Sequence, residues 1–139
     1  MLFVSFNRNP RHYVRDGRRD PRLDWFTDPR FLRAIAHSID KRSMIVNTYF
    51  GYGESAVSAI SPENTIFYNP HLEPYSYDLE RARALLAEGG YLDRDGDGVL
   101  EDVRGNAVQF LWLAAGVVTR DVAVADQRHV EQQRAQFRG

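Results

Sequence analysis

The chain has 139 residues, of which 43% are hydrophobic and 27% charged, with a net charge of -1; this fits one small globular domain or a piece of a larger one. No run approaches the roughly 18 apolar residues that a membrane span needs, and Met1–Phe6 is too short for a signal-peptide core. With no cysteine, disulfide scaffolds, Cys-rich zinc sites and thiol catalysis are excluded.

Taken in chain order, Leu2–Asn7 alternates Leu2, Val4 and Phe6 against Phe3 and Ser5, which predicts a strand. The arginine-rich stretch Arg8–Arg22 reads as a solvated connecting loop. Nucleic-acid contact is its rival reading, and Asp16, Asp20, Asp24 and the near-zero total charge argue against it. Asp28-Pro29 supplies an N-cap acceptor and a first-turn proline, so a helix is predicted over Pro29–Ile39 with Phe31, Leu32, Ile35, Ala36 and Ile39 as its stripe. Asp40 caps a second helix over Lys41–Tyr49, stopped at Gly51. From Gly51 to Tyr77 no period is sustained and a long ordered loop is expected, of the kind that often carries function. Asp78 caps a third helix over Leu79–Glu88, ended by Gly89-Gly90. Ala107–Leu113 is apolar on both faces and reads as a central strand, and Thr119–Arg138 reads as a helix with a poor stripe. The expected core is Phe31, Ile35, Ile39, Ile45, Leu79, Leu85, Leu86, Phe110 and Trp112.

Chemistry-bearing motifs are few. Between the third helix and the last strand lies Asp93-Arg94-Asp95-Gly96-Asp97-Gly98, with Glu101 following. Alternate carboxylates can converge on one hard cation, and Gly98 stands where a Ca²⁺ loop bends at its sixth position. The twelfth position is Arg104, so the usual closing carboxylate is missing. The same residues also suit a plain acidic turn joining helix to strand. Two readings therefore stand: a Ca²⁺ site of Asp93, Asp95, Asp97 and Glu101, or a turn with no metal. His12, His37, His71 and His129 have no second ligand at helical spacing, which argues against zinc. No nucleophile elbow, dinucleotide fingerprint or phosphate loop is present, and nothing argues for catalysis.

The ordered string of motifs goes further. Phe6-Asn7, Trp25-Phe26, Ala34-Ile35-Ala36-His37-Ser38-Ile39-Asp40-Lys41-Arg42, Tyr49-Phe50-Gly51-Tyr52-Gly53, Ser61-Pro62 and Tyr77-Asp78-Leu79-Glu80-Arg81-Ala82 through Gly90-Tyr91 occur in that order. With the Asp93–Asp97 turn and Gly105-Asn106, the string over Phe6–Phe110 resembles the extracytoplasmic solute-binding proteins of family 5, the peptide and nickel receptors of ABC importers.

The resemblance implies an α/β fold: a mixed-sheet fragment of one lobe of a two-lobed periplasmic-binding-protein-like (type II) fold, with residues 1–139 covering part of the C-terminal lobe. Residues 114–139 diverge from the family pattern or are frame-shifted, since Ala114-Ala115-Gly116-Val117-Val118 stands where a polar turn is usual. It implies a non-catalytic receptor outside the cytoplasm, in the periplasm or at the cell surface, with any signal peptide upstream of this segment. Such a receptor closes on a peptide or small solute and delivers it to a membrane permease, needing no cofactor and no nucleic acid. By position in the family, Phe6, Asn7, Leu113 and Ala114 are the expected ligand contacts, with Asn7 foremost because its amide both donates and accepts. The rival function is a stand-alone structural α/β domain with a calcium-binding acidic loop.

Overall fold

The computed structural model describes residues 4–114 and 117–123, of which 111–123 as backbone only. Two compact units divide the chain: Arg33–Ala84, and the described parts of Met1–Leu32 with Leu85–Gly139.

In the unit that contains both ends, a short 3-10 turn over Pro10–His12 leads to β1 (Val14–Arg15) and β2 (Arg18–Arg19), an antiparallel hairpin pairing Val14 with Arg19 and Arg15 with Arg18. Its two-residue loop is Asp16-Gly17, with φ of 51° and 73°. Both residues are left-handed, as the right-handed twist of a tight hairpin demands. Helix α1 (Arg22–Thr27) follows and buries Leu23, Trp25 and Phe26. The arginine-rich stretch is therefore not a featureless loop.

Helix α2 (Pro29–Ser38) starts where the sequence places it: Asp28 Oδ1 accepts the Arg30 N–H at 2.9 Å. Asp20-Pro21-Arg22 uses the same device before α1, with Asp20 Oδ1 accepting the Arg22 N–H at 2.9 Å. In each case the arginine's Nε also donates back to its aspartate, so the pairs share one sequence signature and one geometry. Tyr91 follows the Gly89-Gly90 stop of α4 (Leu79–Glu88) and its hydroxyl donates to Asp28 Oδ2 at 3.3 Å. Burial first, and then the Asp28 carboxylate, push the Tyr91 hydroxyl pKa up. Gly90 has φ +80°, the left-handed conformation that ends a helix at least cost when no Cβ is present.

The core of this unit is aromatic. Phe31 is fully buried, with ring centroids 5.2 Å from Tyr91, 6.2 Å from Phe110 and 6.4 Å from Phe26. Phe26 also meets Phe110 edge-on at 5.4 Å and Tyr13 at 6.2 Å. Leu85, Leu86 and Val108 are buried too. Strands β3 (Gln109–Ala114) and β4 (Val117–Ala123) close the described chain as an antiparallel pair.

In the other unit, α3 (Lys41–Tyr49) begins at Asp40, whose Oδ1 accepts the Ser43 N–H at 2.9 Å. It ends on Phe50 and Gly51, both left-handed, with Gly51 N–H donating to the Ile45 carbonyl at 3.1 Å. His37 Nδ1 lies 2.9 Å from the Ser76 carbonyl, and Asp78 N–H donates to the His37 carbonyl at 2.9 Å. These tie the start of α4 to the end of α2's His37 turn. Residues 51–78 carry no helix or strand, as the absence of a period implied.

Several expectations need correction. Of the strand predicted over Leu2–Asn7, Leu2 and Phe3 lie outside the described residues and Val4–Asn7 form no strand. The segment's apolar alternation is used instead to seat Phe6 between Phe26 and Phe110, at 5.0 and 6.3 Å. Thr119–Ala123 belong to β4 and not to a helix, because Val117–Ala123 pair with β3; 124–139 lie outside the described residues. Strand β3 has one partner, β4, among the described residues, so its central position is not seen. Ile35, Ile39, Ile45 and Leu79 are half-buried, Phe31, Leu85, Leu86 and Phe110 are buried, and the Trp112 side chain lies outside the described residues.

Candidate functional site

The expected ligand contacts fall at two places in one unit. Asn7 is exposed; its Oδ1 accepts the Asn9 N–H at 3.0 Å and its carbonyl accepts the Tyr13 hydroxyl at 2.9 Å. Half of its amide is thus committed to a turn that leads into Pro10–His12, and the nitrogen half remains to donate outward. Phe6 is half-buried and turns its ring to Phe26 and Phe110. Since Phe110 belongs to β3, that stacking brings the Phe6-Asn7 segment beside the start of the strand. Leu113 and Ala114 stand at the other end of β3, paired in register with Val118 and Val117. Their side chains lie outside the described residues.

The acidic loop is built differently from a disordered charge run. Leu92 and Glu101 exchange two backbone hydrogen bonds, at 3.0 and 2.9 Å, and close the loop at its neck. Asp93 accepts from Gly96 N–H at 2.7 Å and Gly98 N–H at 3.0 Å, Asp95 from Asp97 N–H at 3.1 Å, and Asp97 from Val99 N–H at 2.7 Å. Arg94 spans the neck, donating to the carbonyls of Gly90, Glu101 and Asp102 at 2.8, 3.1 and 2.7 Å. One carboxylate oxygen from each of Asp93, Asp95, Asp97 and Glu101 lies within 4.8 Å of the others. That spacing suits ligands sharing a sphere of about 2.3–2.6 Å radius, the calcium–oxygen distance. The four occupy the first, third, fifth and ninth loop positions, so the structure brings together the whole set that the sequence nominates.

A residue that sequence reasoning missed is Asp102, just beyond the loop. It is buried, and its Oδ2 accepts the Trp25 indole N–H at 2.9 Å across 77 residues of sequence. The Arg104 and Asn106 backbone N–H groups and the Asn106 amide also donate to it, at 2.8 to 3.1 Å. Burial opposes its ionisation, but the donors from Asn106, Trp25 and the backbone outweigh it and hold the carboxyl below the usual range. Its role is to anchor α1 to the turn before β3. Among the described residues, no buried side-chain polar atom is left unpaired and no helix is long and apolar enough to cross a membrane.

These elements match part of a known architecture. An oligopeptide-binding protein, AppA, from Bacillus subtilis, solved with a nonapeptide, superposes with a TM-score of 0.56 at 27% identity, over 63% of this chain and 17% of that one. An oligopeptide-binding protein from Thermus thermophilus, solved with a pentapeptide, gives 0.50 at 34% identity, over 58% of this chain and 13% of that one. The fold is that of a portion of a type II periplasmic peptide-binding protein. The heme-binding protein A of Haemophilus influenzae is 39% identical over 67 residues, 48% of this chain and 12% of its own length. In sequence, AppA is 28% identical over 112 residues, 76% of this chain and 20% of its own length. The chain therefore spans only about an eighth to a fifth of the relatives it matches. The model of the bacterial extracellular solute-binding proteins, family 5 (middle), matches residues 1–132. The chain belongs to that family.

Proposed function

We propose that this chain supplies part of one lobe of a substrate-binding receptor for oligopeptides or a related solute, serving an ABC importer outside the cytoplasm. The observation that carries it is the family match over residues 1–132 together with superposition on two peptide-bound receptors. In this reading the chain is non-catalytic, and Phe6, Asn7, Leu113 and Ala114 border the cleft. The packing of Phe6 on Phe110 supports the grouping, since it brings Asn7 beside β3. Small-ligand affinity needs burial on most sides of the ligand, so one wall of a cleft is a weak binder by itself. Calorimetry tests this in two arms, with short peptides, glutathione and heme as the panel. A receptor comprising both lobes is expected to give saturable heat with a member of the panel, and silence throughout would overturn the reading. The 139-residue chain alone is expected to give no micromolar binding of any of them, weak millimolar contact of a free carboxylate aside, and micromolar binding by it would show that the site is complete within it.

A second reading, for the acidic loop, is favoured by the convergence of four carboxylates within 4.8 Å. We propose that Asp93, Asp95, Asp97 and Glu101 hold Ca²⁺ and staple α4 to the turn before β3. An ion bound only by the folded state raises the melting temperature as its concentration passes the dissociation constant. Ca²⁺ in the millimolar range is expected to raise the midpoint, and Asp97→Asn, which keeps an oxygen for the Val99 N–H but loses the charge, to blunt the rise. A flat calcium titration would leave the loop a plain turn.

A further inference from the structure

The segment Arg8–Arg22 contains six arginines and two aspartates, a local charge of +4 in a chain whose total is -1. Folding does not scatter those charges. Four of the six arginines and both aspartates border a groove of about 880 Å³ whose lining includes the buried Tyr13 and Trp25, with Pro21 and the exposed Gln109 beside them. That volume falls in the range of ordinary small-ligand sites, about 300–1,000 Å³.

Four arginines line the groove, and they are not equivalent. Arg22 is held bidentately by Asp20, and Arg19 pairs with Asp24. Arg15 and Arg18 make no ion pair among the described residues, although Asp16 in the loop between them also lines the groove. They are also directly opposite one another in the β1–β2 register. Side chains opposed in an antiparallel pair have Cβ atoms about 4.5–5.5 Å apart, and like charges there destabilise the hairpin. The Asp-Gly loop fixes that register, so the two residues stay directly opposed. A shared anion relieves the repulsion and meets the planar donor forks of both.

We propose that this groove binds an oxyanion, a carboxylate or phosphate group, clamped between Arg15 and Arg18 against the wall formed by Tyr13 and Trp25. The site lies wholly within one unit of the chain and does not rest on the receptor reading, so either can fail alone.

The test is an NMR titration of the 139-residue chain at constant ionic strength, following the arginine Nε–Hε signals. The probes are inorganic phosphate, an N-acetylated dipeptide with a free carboxylate, and its C-terminally amidated form. Saturable shifts confined to Arg15 and Arg18 are expected with phosphate, with the free carboxylate or with both, which identifies the source of the anion; the amide is expected to be silent. Arg15→Gln/Arg18→Gln is expected to weaken binding at least about tenfold, the loss of one or more charge-assisted hydrogen bonds. Arg11→Gln, outside the groove lining, is expected to leave it unchanged. Arg18→Glu guards against mere loss of the hairpin: it places opposite charges across the strands, which should preserve the fold while abolishing binding. Shifts no larger than those from chloride, shifts spread evenly over all arginines, or unimpaired binding by Arg18→Glu would overturn the proposal.

Discussion

Phe31→Ala is expected to lower the unfolding free energy by about 3–5 kcal/mol, the cost of emptying a fully buried phenylalanine site. The magnitude follows from position. Phe31 has three aromatic neighbours, Tyr91, Phe110 and Phe26, with centroids 5.2 to 6.4 Å away. Those rings come from three separate stretches of sequence and are themselves buried, so they have little freedom to collapse into the void. The loss is a large share of the roughly 5–15 kcal/mol that holds an ordinary domain together. Chemical denaturation followed by tyrosine and tryptophan fluorescence reads it as a fall in midpoint. Phe50→Ala is the matched control: that ring is 85% exposed on a left-handed residue, and removing it is expected to change stability by under about 0.5 kcal/mol. Equal effects from the two substitutions would mean that the aromatic cluster is not the core of its unit.

The helices were legible because each carries its own start signal. Asp28, Asp40 and Asp78 all accept the backbone N–H that an N-cap should, so α2, α3 and α4 begin where the local chemistry places them. Helix α1 went unread although Asp20-Pro21-Arg22 repeats the signature of Asp28-Pro29-Arg30. The helix it opens is only six residues long, too short for a stripe to show a period, and the surrounding arginines hid the motif. The hairpin was missed for a related reason. Asp16-Gly17 is a strong two-residue turn signal, but strands of two residues have no alternation to flank it. Val4–Asn7 failed in the opposite direction: alternation was present, yet among the described residues the segment pairs with no strand and instead packs Phe6 on Phe26 and Phe110. Of the candidate sites, the four carboxylates of the acidic loop were readable because all lie within nine residues. The Trp25–Asp102 bond was not, since nothing local in either residue announces a partner 77 positions away.

Asp102→Ala is expected to cost about 2–4 kcal/mol, although no apolar contact of any size is removed. The substitution leaves the Trp25 indole N–H and the Arg104 and Asn106 backbone N–H groups without the acceptor they share. Trp25 is 2% exposed, so water cannot easily replace the lost carboxylate at that donor. The same residue sets part of the acid response. Its carboxyl is held below the usual range in the folded state and reverts to an ordinary value, about 3.9, when the chain unfolds. The unfolded chain therefore binds a proton first as pH falls. Stability from this group is complete above about pH 5 and is lost as pH falls through the unfolded value towards the lower folded one. Asp20, held low by its hydrogen bonds from Arg22, acts in the same direction. Asp102→Asn keeps the shape and one acceptor oxygen but carries no titrating proton. Measured from neutral pH downward, its denaturation midpoint should start below that of the parent chain and fall less steeply in acid, so that the two curves converge. Parallel curves would show that the Asp102 carboxylate does not contribute to acid unfolding, and that its contribution comes from hydrogen bonding alone.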